Sequence, residues 1–510
     1  MGRAFVFACN RRGVLVMCRK GKAETNMKKV LIQLVGKQTM PNIISLLSVV
    51  PDEVVHIYTK TTEERHEDIV RWCSKYGRDF GLSPVFPPTD PVSEKFEELI
   101  PNLGALLTVL VEKCRKEGDA QLILNATGAT KPMAAMSMSI CQGLEQKYRR
   151  EGEELAIPIF YVNTGTKSFD FFAHGEMRGE VLAHEAFTRR MTVRQIIDAT
   201  SRVELKKHRD WRPAYPAARM LWERKCSFDL ADIKLDTVEK EVRQGLGARN
   251  KTSKFQAFIH AAGSDPEVRK SMAACGLDWH DGDFYFNKEL QAKAAEIVEL
   301  RPRRKEKGVR EKMLERLGDI QNAQNFLVGG WWEVIVAHAY QTHYPEAEVL
   351  WSVETADRKT GKAGVETDVI ATDGFSLCCI SCKRGMHRGV VQELEQHCAR
   401  TEMLGGVINR RAMAMYYKDE EMRTLTRVLN IQLWPQKMVL AMAKGEPLPT
   451  AEEKEAAFNR QEEKPAPEPS QQAKRTGQPA ASPAETAAAK PMGLGRRLAA
   501  AWRILTGGRA

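Results

Sequence analysis

The residues that could do chemistry are concentrated between positions 325 and 411. An apolar helix is predicted over residues 326–338, and its one acid is Glu333. Two strand-like runs follow, at residues 365–371 and 375–383. This arrangement predicts a helix that supplies one carboxylate to a pair of strands.

The two runs are separated by Asp373-Gly374, a strong signal for a hairpin turn. Residues two apart in a strand share a face, so Glu366 and Asp368 should point the same way, as should Ser381 and Lys383. If the two faces coincide, acids and an ammonium group converge at one end of the hairpin.

Such a cluster suits a hard divalent cation. Glu333, Glu366 and Asp368 offer the oxygen ligands that Mg²⁺ or Mn²⁺ prefers, and Lys383 could orient or activate a water beside the metal. The natural substrate of such a site is a phosphodiester. The alternative is a hairpin that carries ordinary solvated charges.

The segment that begins at Met27 has a different pattern, in which apolar strands alternate with helices. This alternation predicts a doubly wound, mostly parallel α/β sheet. Ligands bind such sheets beyond the carboxyl ends of the strands. Three loops follow predicted strands, at residues 36–39, 125–132 and 163–168.

The central loop runs from a strand into a helix, so its backbone N–H groups and the positive helix end suit an anion. Lys131 and neighbouring hydroxyls add to this property. Helix capping by Thr130 is the structural alternative. The spacing of a phosphate-binding Walker loop is absent.

Composition sets the outer limits. A chain of 510 residues with 43% hydrophobic and 28% charged residues should form two or three globular domains. The net charge of +11 favours a polyanionic partner. The 11 scattered cysteines predict reduced thiols and a cytoplasmic protein. No run approaches the roughly 18 apolar residues of a membrane span, so membrane association is not expected.

The remaining segments are predicted in outline. Residues 1–26 form an N-terminal extension, and residues 201–320 form a helical or winged-helix-like connector that would transmit dimer closure. Residues 446–490 are too polar to bury a core and are predicted to be disordered. The pattern of residues 491–510 predicts an amphipathic helix. We interpret this helix as a tail without a role; the alternative is a helix that binds a membrane surface or a partner.

The C-terminal pattern, over residues 321–445, resembles the restriction-endonuclease-like PD-(D/E)xK nucleases. Glu333, Asp368 and the strand that ends in Cys382-Lys383 carry this resemblance, together with the helix that follows. The resemblance implies Glu333, Asp368, Ser381, Lys383 and Glu395 as catalytic positions. The family has an acid where this chain has Ser381, so Glu366 or Glu395 would act as a migrated acid.

The N-terminal pattern, over residues 27–200, resembles the CARF domain, the cyclic-oligoadenylate sensor of type III CRISPR systems. Asn125-Ala-Thr-Gly-Ala-Thr-Lys131-Pro-Met133 is similar to the family motif, with Ala129 in place of its second glycine. The resemblance implies a homodimer that binds cyclic tetra-adenylate. The implied ligand-binding residues are Gln38, Thr39, Thr127, Gly128, Ala129, Thr130, Lys131, Thr166, Lys167 and Ser168.

Together the two resemblances imply a metal-dependent endonuclease of antiviral defence that a cyclic oligoadenylate activates and that cleaves DNA or RNA. Two alternatives stay open at this point. One is a non-catalytic sensor that binds nucleic acid through a degenerate nuclease fold, which Ser381 favours. The other is a sensor that itself cleaves the cyclic messenger.

Overall fold

The structure is a computed structural model that describes residues 6–9, 15–18 and 27–448. Within the last range it leaves out residues 119, 154, 173–180, 201–202, 226–232, 250–251, 385–389, 406–408 and 417–420. Most of the predicted N-terminal extension and of the predicted disordered segment, and all of the predicted terminal helix, therefore lie outside the described residues. The short strands β1 (Val6–Cys9) and β2 (Leu15–Cys18) pair antiparallel.

The N-terminal part contains a six-stranded sheet in the order β4-β3-β5-β6-β7-β8. Its strands are β3 (Lys28–Leu34), β4 (Glu53–Ile57), β5 (Ala120–Asn125), β6 (Ile159–Asn163), β7 (Ser168–Phe172) and β8 (Val181–Ala186). The first four in chain order are parallel, and β7 and β8 are added antiparallel. The predicted mixed α/β fold with a mostly parallel sheet is confirmed.

Helices cover both faces of this sheet. They are α1 (Met40–Val49), α2 (Glu63–Tyr76), α3 (Phe96–Glu117), α4 (Lys131–Arg150) and α5 (Val193–Thr200). In β3, Leu31 belongs to the core beneath α1, α2 and α5, whereas Val30 and Ile32 belong to the core beneath α3 and α4. Burial on both faces explains why Val30, Leu31 and Ile32 follow one another as an unbroken apolar run.

The predicted connector is mainly helical. After strand β9 (Val203–Arg209) it contains α6 (Tyr215–Glu223), α7 (Val238–Arg243), α8 (Leu246–Arg249), α9 (Ser253–Ser264), α10 (Pro266–Ala274), β10 (Leu277–His280), β11 (Asp283–Phe286), α11 (Lys288–Leu300) and α12 (Val309–Asn325). The hairpin β10–β11 turns at Asp281-Gly282, and both residues have positive φ, of 50° and 78°, as a tight hairpin requires. Strand β9, however, pairs with the C-terminal sheet, so that sheet begins inside the predicted connector.

The C-terminal part is a second six-stranded sheet in the order β16-β15-β14-β13-β12-β9. Its further elements are α13 (Trp331–His343), β12 (Glu348–Asp357), β13 (Ala363–Thr372), β14 (Leu377–Lys383), α14 (Val390–Gly405), β15 (Arg410–Met415), α15 (Glu421–Val428), β16 (Gln432–Pro435) and α16 (Gln436–Ala443). Strands β9, β12, β13 and β14 are antiparallel, and β14, β15 and β16 are parallel. Strand β12 was not predicted from the sequence.

The helix predicted to begin at Phe326 begins later. Residues Phe326–Gly330 form one π-helical turn, and the regular helix α13 starts at Trp331. Trp331 and Trp332 are fully buried, so the tryptophan pair belongs to the core. No helix in the described part of the chain is both long and apolar enough to cross a bilayer.

The second sheet lies between two cores. Val369 and Ile380 pack into the core around α13, whereas Ile370 and Cys379 on the same two strands pack into the core that contains α1, α2 and α5. The N-terminal and C-terminal parts therefore share a hydrophobic core.

Candidate functional site

Three loops of the N-terminal sheet meet at one edge. Strands β3, β5 and β6 are neighbours and run parallel, so the segments that follow Leu34, Asn125 and Asn163 leave the sheet on the same side. These are the three segments from which the sequence predicts ligand binding. The topology therefore brings the predicted ligand residues to one site.

Two of the loops touch through glycine backbone. A methyl group added at Gly36 would lie 1.5 Å from the carbonyl oxygen of Gly128, and one added at Gly128 would lie 2.0 Å from the carbonyl oxygen of Leu34. No larger residue could occupy either position without separating the loops. The close approach holds the backbone of the 125–132 loop against the end of β3.

The predicted ligand residues differ in accessibility. Gln38, Thr130, Lys131 and Thr166 are exposed, and Thr127, Gly128, Ala129 and Lys167 are half-buried. Thr39 and Ser168 are buried. The Thr39 hydroxyl donates to the Ala199 carbonyl of α5, and the Ser168 hydroxyl shares a hydrogen bond of 2.7 Å with that of Thr166. Thr39 and Ser168 therefore stabilise the loops from the protein side through these hydrogen bonds, whereas the exposed side chains face solvent.

The start of α4 is available to an anion. Thr130 is the N-cap residue by its extended backbone, yet among the described contacts its side chain makes no capping hydrogen bond. Lys131 and Lys37 are exposed at the same edge of the sheet. Lys37 was not among the ligand-binding residues expected from the sequence. A helix start without a side-chain cap, together with ammonium groups at the same edge, has the properties that suit a phosphate.

A buried polar chain supports the central loop, and sequence reasoning missed it. The Asn125 Oδ1 accepts from the Thr127 N–H at 3.0 Å, and its Nδ2 donates to the Ser45 hydroxyl at 3.1 Å. Gln33 donates to the same hydroxyl at 2.7 Å and contacts His56 at 3.0 Å. Burial lowers the pKa of His56 to about 3, so this ring stays neutral. A glutamine inside an apolar strand was the available signal.

In the C-terminal part, three local features fix Glu333. The π-helical turn directly precedes its helix, and the Arg384 guanidinium donates to the Val328 carbonyl of that turn. The Trp351 indole donates to the Glu333 carboxylate at 2.8 Å. Next to Trp351, Ser352 has a left-handed φ of 49°, and the pairing of β12 with β9 shifts there. Such irregularities are frequent at functional sites.

Asp368 and Ser381 lie opposite each other in the hairpin β13–β14. The Asp368 Oδ2 accepts from the Cys382 N–H at 2.6 Å and from the Ser381 hydroxyl at 3.3 Å. The Ser381 hydroxyl therefore helps to hold Asp368 in position. It contributes no charge of its own.

Lys383 pairs with Glu393 of α14 at 3.5 Å. Glu395 lies on an exposed part of the same helix and makes no such pair with Lys383 among the described contacts. Glu393 is the acid of α14 that sequence reasoning missed. A displacement of two residues on a helix moves a side chain to a different face, so spacing alone could not decide between them.

The charges of this site act on one another. Burial, and then repulsion from Asp368, raises the pKa of Glu333 to about 8. The same two causes, in the same order, raise the pKa of Glu366. Burial alone would lower the pKa of Lys383, but Asp368 and Glu393 raise it, so its ammonium stays protonated at neutral pH. The site thus combines repelling carboxylates with one fixed cation.

This donor set fits a hard divalent cation in charge and chemistry, because a bound cation would offset the burial and the repulsion from Asp368 that raise the pKa of Glu333. Glu333 and Asp368 are the residues that would hold it, with Glu366 nearby. In the described part of the chain, no three acidic, histidine or cysteine side chains are already arranged around one point. Water or substrate oxygens would therefore complete the coordination.

Comparison with known proteins places the N-terminal part in a class. Residues 30–193 match the family profile described as the Card1 CARF domain. A comparison with curated proteins found no match. The fold and the loop edge first define a mixed α/β protein with a Rossmann-like sheet. The family match then identifies that sheet and its helices as a CARF domain in the N-terminal part of the chain.

Two solved structures share the fold over most of the chain. VC1899 from Vibrio cholerae superposes with a TM-score of 0.55 at 13% identity, over 82% of this chain and 96% of that chain. Can2 from Sulfobacillus thermosulfidooxidans, solved in complex with cyclic tetra-adenylate, gives 0.50 at 15% identity, over 82% and 98%. At such identities the similarity establishes a common fold.

Proposed function

We propose that this protein is a metal-dependent nuclease of type III CRISPR defence that a cyclic oligoadenylate activates. The observation that carries the proposal is that Glu333, Asp368 and Lys383 lie close enough for their charges to interact, with Asp368 held across the hairpin β13–β14 by Ser381 and Cys382. In this proposal the CARF domain is the sensor that controls the site.

The sensor half of the proposal is supported by the loop edge. Cyclic tetra-adenylate is bound by Can2, which shares the fold. In this chain its phosphates would meet the backbone N–H groups at the start of α4 and the Lys131 ammonium. A symmetric ring can contact the same loops of two protomers, so the proposal includes a homodimer. The ring activates only if it prefers the cleavage-competent arrangement.

In the nuclease half, each residue has a separate task. A bound Mg²⁺ or Mn²⁺ would supply charge neutralisation and lower the pKa of a water. Asp368, whose Oδ2 is held by the Cys382 N–H and the Ser381 hydroxyl, would offer its other oxygen to the metal. The protonated Lys383 stabilises negative charge on the phosphate and orients a water, and it does not act as a base. Trp351 orients Glu333.

A cleavage assay tests the proposal. The full chain is mixed with supercoiled plasmid, single-stranded DNA or RNA, in Mg²⁺ or Mn²⁺, with cyclic tri-, tetra- or hexa-adenylate or none. Cleavage should need both a metal and one ring. Asp368→Asn keeps the acceptor for the Cys382 N–H and should abolish cleavage. Asp281→Asn makes the same change on an exposed acid of the connector hairpin and should cleave normally.

Ser381 favours a second candidate, a non-catalytic sensor that binds nucleic acid. A serine supplies no third carboxylate, and the described acids are not preassembled around one point. Tight ring binding without cleavage in either metal would support this candidate. Following the ring itself in the same reactions tests the other alternative, because a sensor that degrades its messenger would consume the ring whether or not Asp368 is intact.

A further inference from the structure

The turn of the hairpin β13–β14 rests directly on the CARF domain. The Met191 N–H donates to the Gly374 carbonyl at 3.0 Å, and the rings of Phe187 and Phe375 lie 5.1 Å apart. Gly374 has a φ of 96°, and a methyl group there would lie 2.5 Å from the Cβ of Arg190. The hairpin tip is therefore closely fitted to the segment between β8 and α5.

An ion pair joins the same tip to a predicted ligand loop. The Lys167 Nζ lies 2.6 Å from the Asp373 Oδ2, with 43% and 20% of the two side chains exposed. Lys167 occupies the turn between β6 and β7, which lies at the ligand edge of the sheet, and has a left-handed φ of 56°. Its carbonyl accepts from the Phe187 N–H at 3.0 Å. The ammonium predicted to bind ligand is thus held by the C-terminal part.

Asp373 also connects inward to the helix that carries Glu333. Its Oδ2 accepts from Arg410 at 3.2 Å, and the same Arg410 nitrogen donates to the Tyr340 hydroxyl at 3.0 Å. Tyr340 is on α13, two turns beyond Glu333. The other Asp373 oxygen accepts from the Phe375 N–H at 3.0 Å. One carboxylate therefore joins the sensor turn, the hairpin and α13.

We propose that ring binding is passed to the nuclease hairpin directly, through the Lys167–Asp373 ion pair and the fitted turn around Gly374. This route differs from the sequence-based expectation that the connector 201–320 transmits closure. A ring whose phosphates approach residues 166–168 shifts the turn between β6 and β7. The tip of the hairpin β13–β14 moves with it, because the Lys167 ammonium is paired with the Asp373 carboxylate. The inference rests on the proposed function, since it needs a ring-activated nuclease.

The chain offers a matched control. Lys359, in the loop between β12 and β13, pairs with Glu64 of α2 at 3.3 Å. That pair also joins the CARF domain to the C-terminal sheet, but it lies at the opposite end of β13 from Asp373. Removing it loosens the same two parts without touching the proposed route.

The experiment compares Asp373→Asn and Lys359→Met with the wild-type full chain. Asparagine keeps the oxygen that accepts from the Phe375 N–H and removes the charge that pairs with Lys167 and Arg410. The measured quantity is the ratio of cleavage rates with and without saturating cyclic tetra-adenylate. We expect this ratio to fall by about threefold or more in Asp373→Asn, as the loss of one half-exposed ion pair allows. Lys359→Met should keep the wild-type ratio.

An unchanged ratio in Asp373→Asn overturns the inference, as does an equal fall in Lys359→Met, which would indicate general loosening. Hydrogen exchange gives a second readout that does not need cleavage. Adding the ring should change the protection of the peptide that spans 372–380 and leave that of the connector hairpin 277–286 unchanged. The reverse pattern refutes the route even if the nuclease is ring-activated. Absence of ring binding refutes the proposed function itself.

Discussion

The raised pKa of Glu333 makes the stability of the metal-free protein depend on pH in a way that one substitution should remove. In the folded chain this carboxyl titrates near 8, against an ordinary value of 4.5. Between these values the folded state holds a proton that the unfolded state has released, so stability falls as pH rises. Each pH unit corresponds to about 1.4 kcal/mol, which gives roughly 2 kcal/mol between pH 6 and pH 8.

Glu333→Gln cannot ionise but keeps an oxygen that can accept from the Trp351 indole. In EDTA, the Tm of the wild-type protein should therefore fall more than that of the variant between pH 6 and pH 8. The expected difference is about 4 to 8 °C for a unit of roughly 150–250 residues, which is the size of the C-terminal part. Glu395→Gln makes the same chemical change on an exposed side chain of α14 and should follow the wild type. Titrating groups away from Glu333 are shared and cancel in the comparison, so the difference reports on Glu333 and the carboxylates that interact with it.

Metal addition completes the test. At pH 8, Mg²⁺ or Mn²⁺ should raise the Tm of the wild type more than that of Glu333→Gln, because a cation among the carboxylates favours the ionised form. Parallel pH dependences for wild type and Glu333→Gln in EDTA would refute the electrostatic account of the site. A metal effect of equal size in both proteins would remove Glu333 from the donor set.

Three further predictions concern the loops and the hairpin. Gly128→Ala should weaken cyclic tetra-adenylate binding at least about tenfold by calorimetry, because the added methyl group would clash with the Leu34 carbonyl. The control Gly143→Ala should bind normally, because a methyl group there meets nothing within 4 Å. Trp351→Phe removes a hydrogen bond that lowers the pKa of Glu333, so the rise of the pH–rate profile should move to higher pH while the protein stays folded. Ser381→Asp places a second acid opposite Asp368 and should tighten Mn²⁺ binding by calorimetry, and unchanged affinity would show that this position does not face the metal.

Much of the N-terminal fold could be predicted, because its strands are buried on both faces and alternate with long helices. The predicted alternation is seen, for example, where strand Ala120–Asn125 leads through the central loop into helix Lys131–Arg150. Strand β12 was missed although Val349, Leu350 and Trp351 form a short apolar run, as in a strand that is buried on both faces. Strand β9 was interpreted as a basic connector, since an edge strand with charged residues lacks an apolar pattern.

In the candidate site, the sequence could supply the acids and the lysine but not their partners. The pairing of Lys383 with Glu393 depends on how α14 is rotated over the sheet, which residue spacing does not fix. The contact between Lys167 and Asp373 joins two loops that are far apart in the chain. Such a contact arises from the packing of two domains, and no local pattern reports it.

The place of β9 bears on how chains of this architecture can exchange parts. The strand follows the CARF domain directly, yet it supplies the edge of the other sheet by pairing with β12. A recombination event that joined a new sensor at residue 200 would have to leave β9 with the recipient, and one that joined it after residue 210 would replace an edge strand as well. The boundary for such an exchange therefore lies before β9, because this strand is part of the C-terminal sheet. The contacts between the two parts also mean that changes in one part have to be compatible with the other.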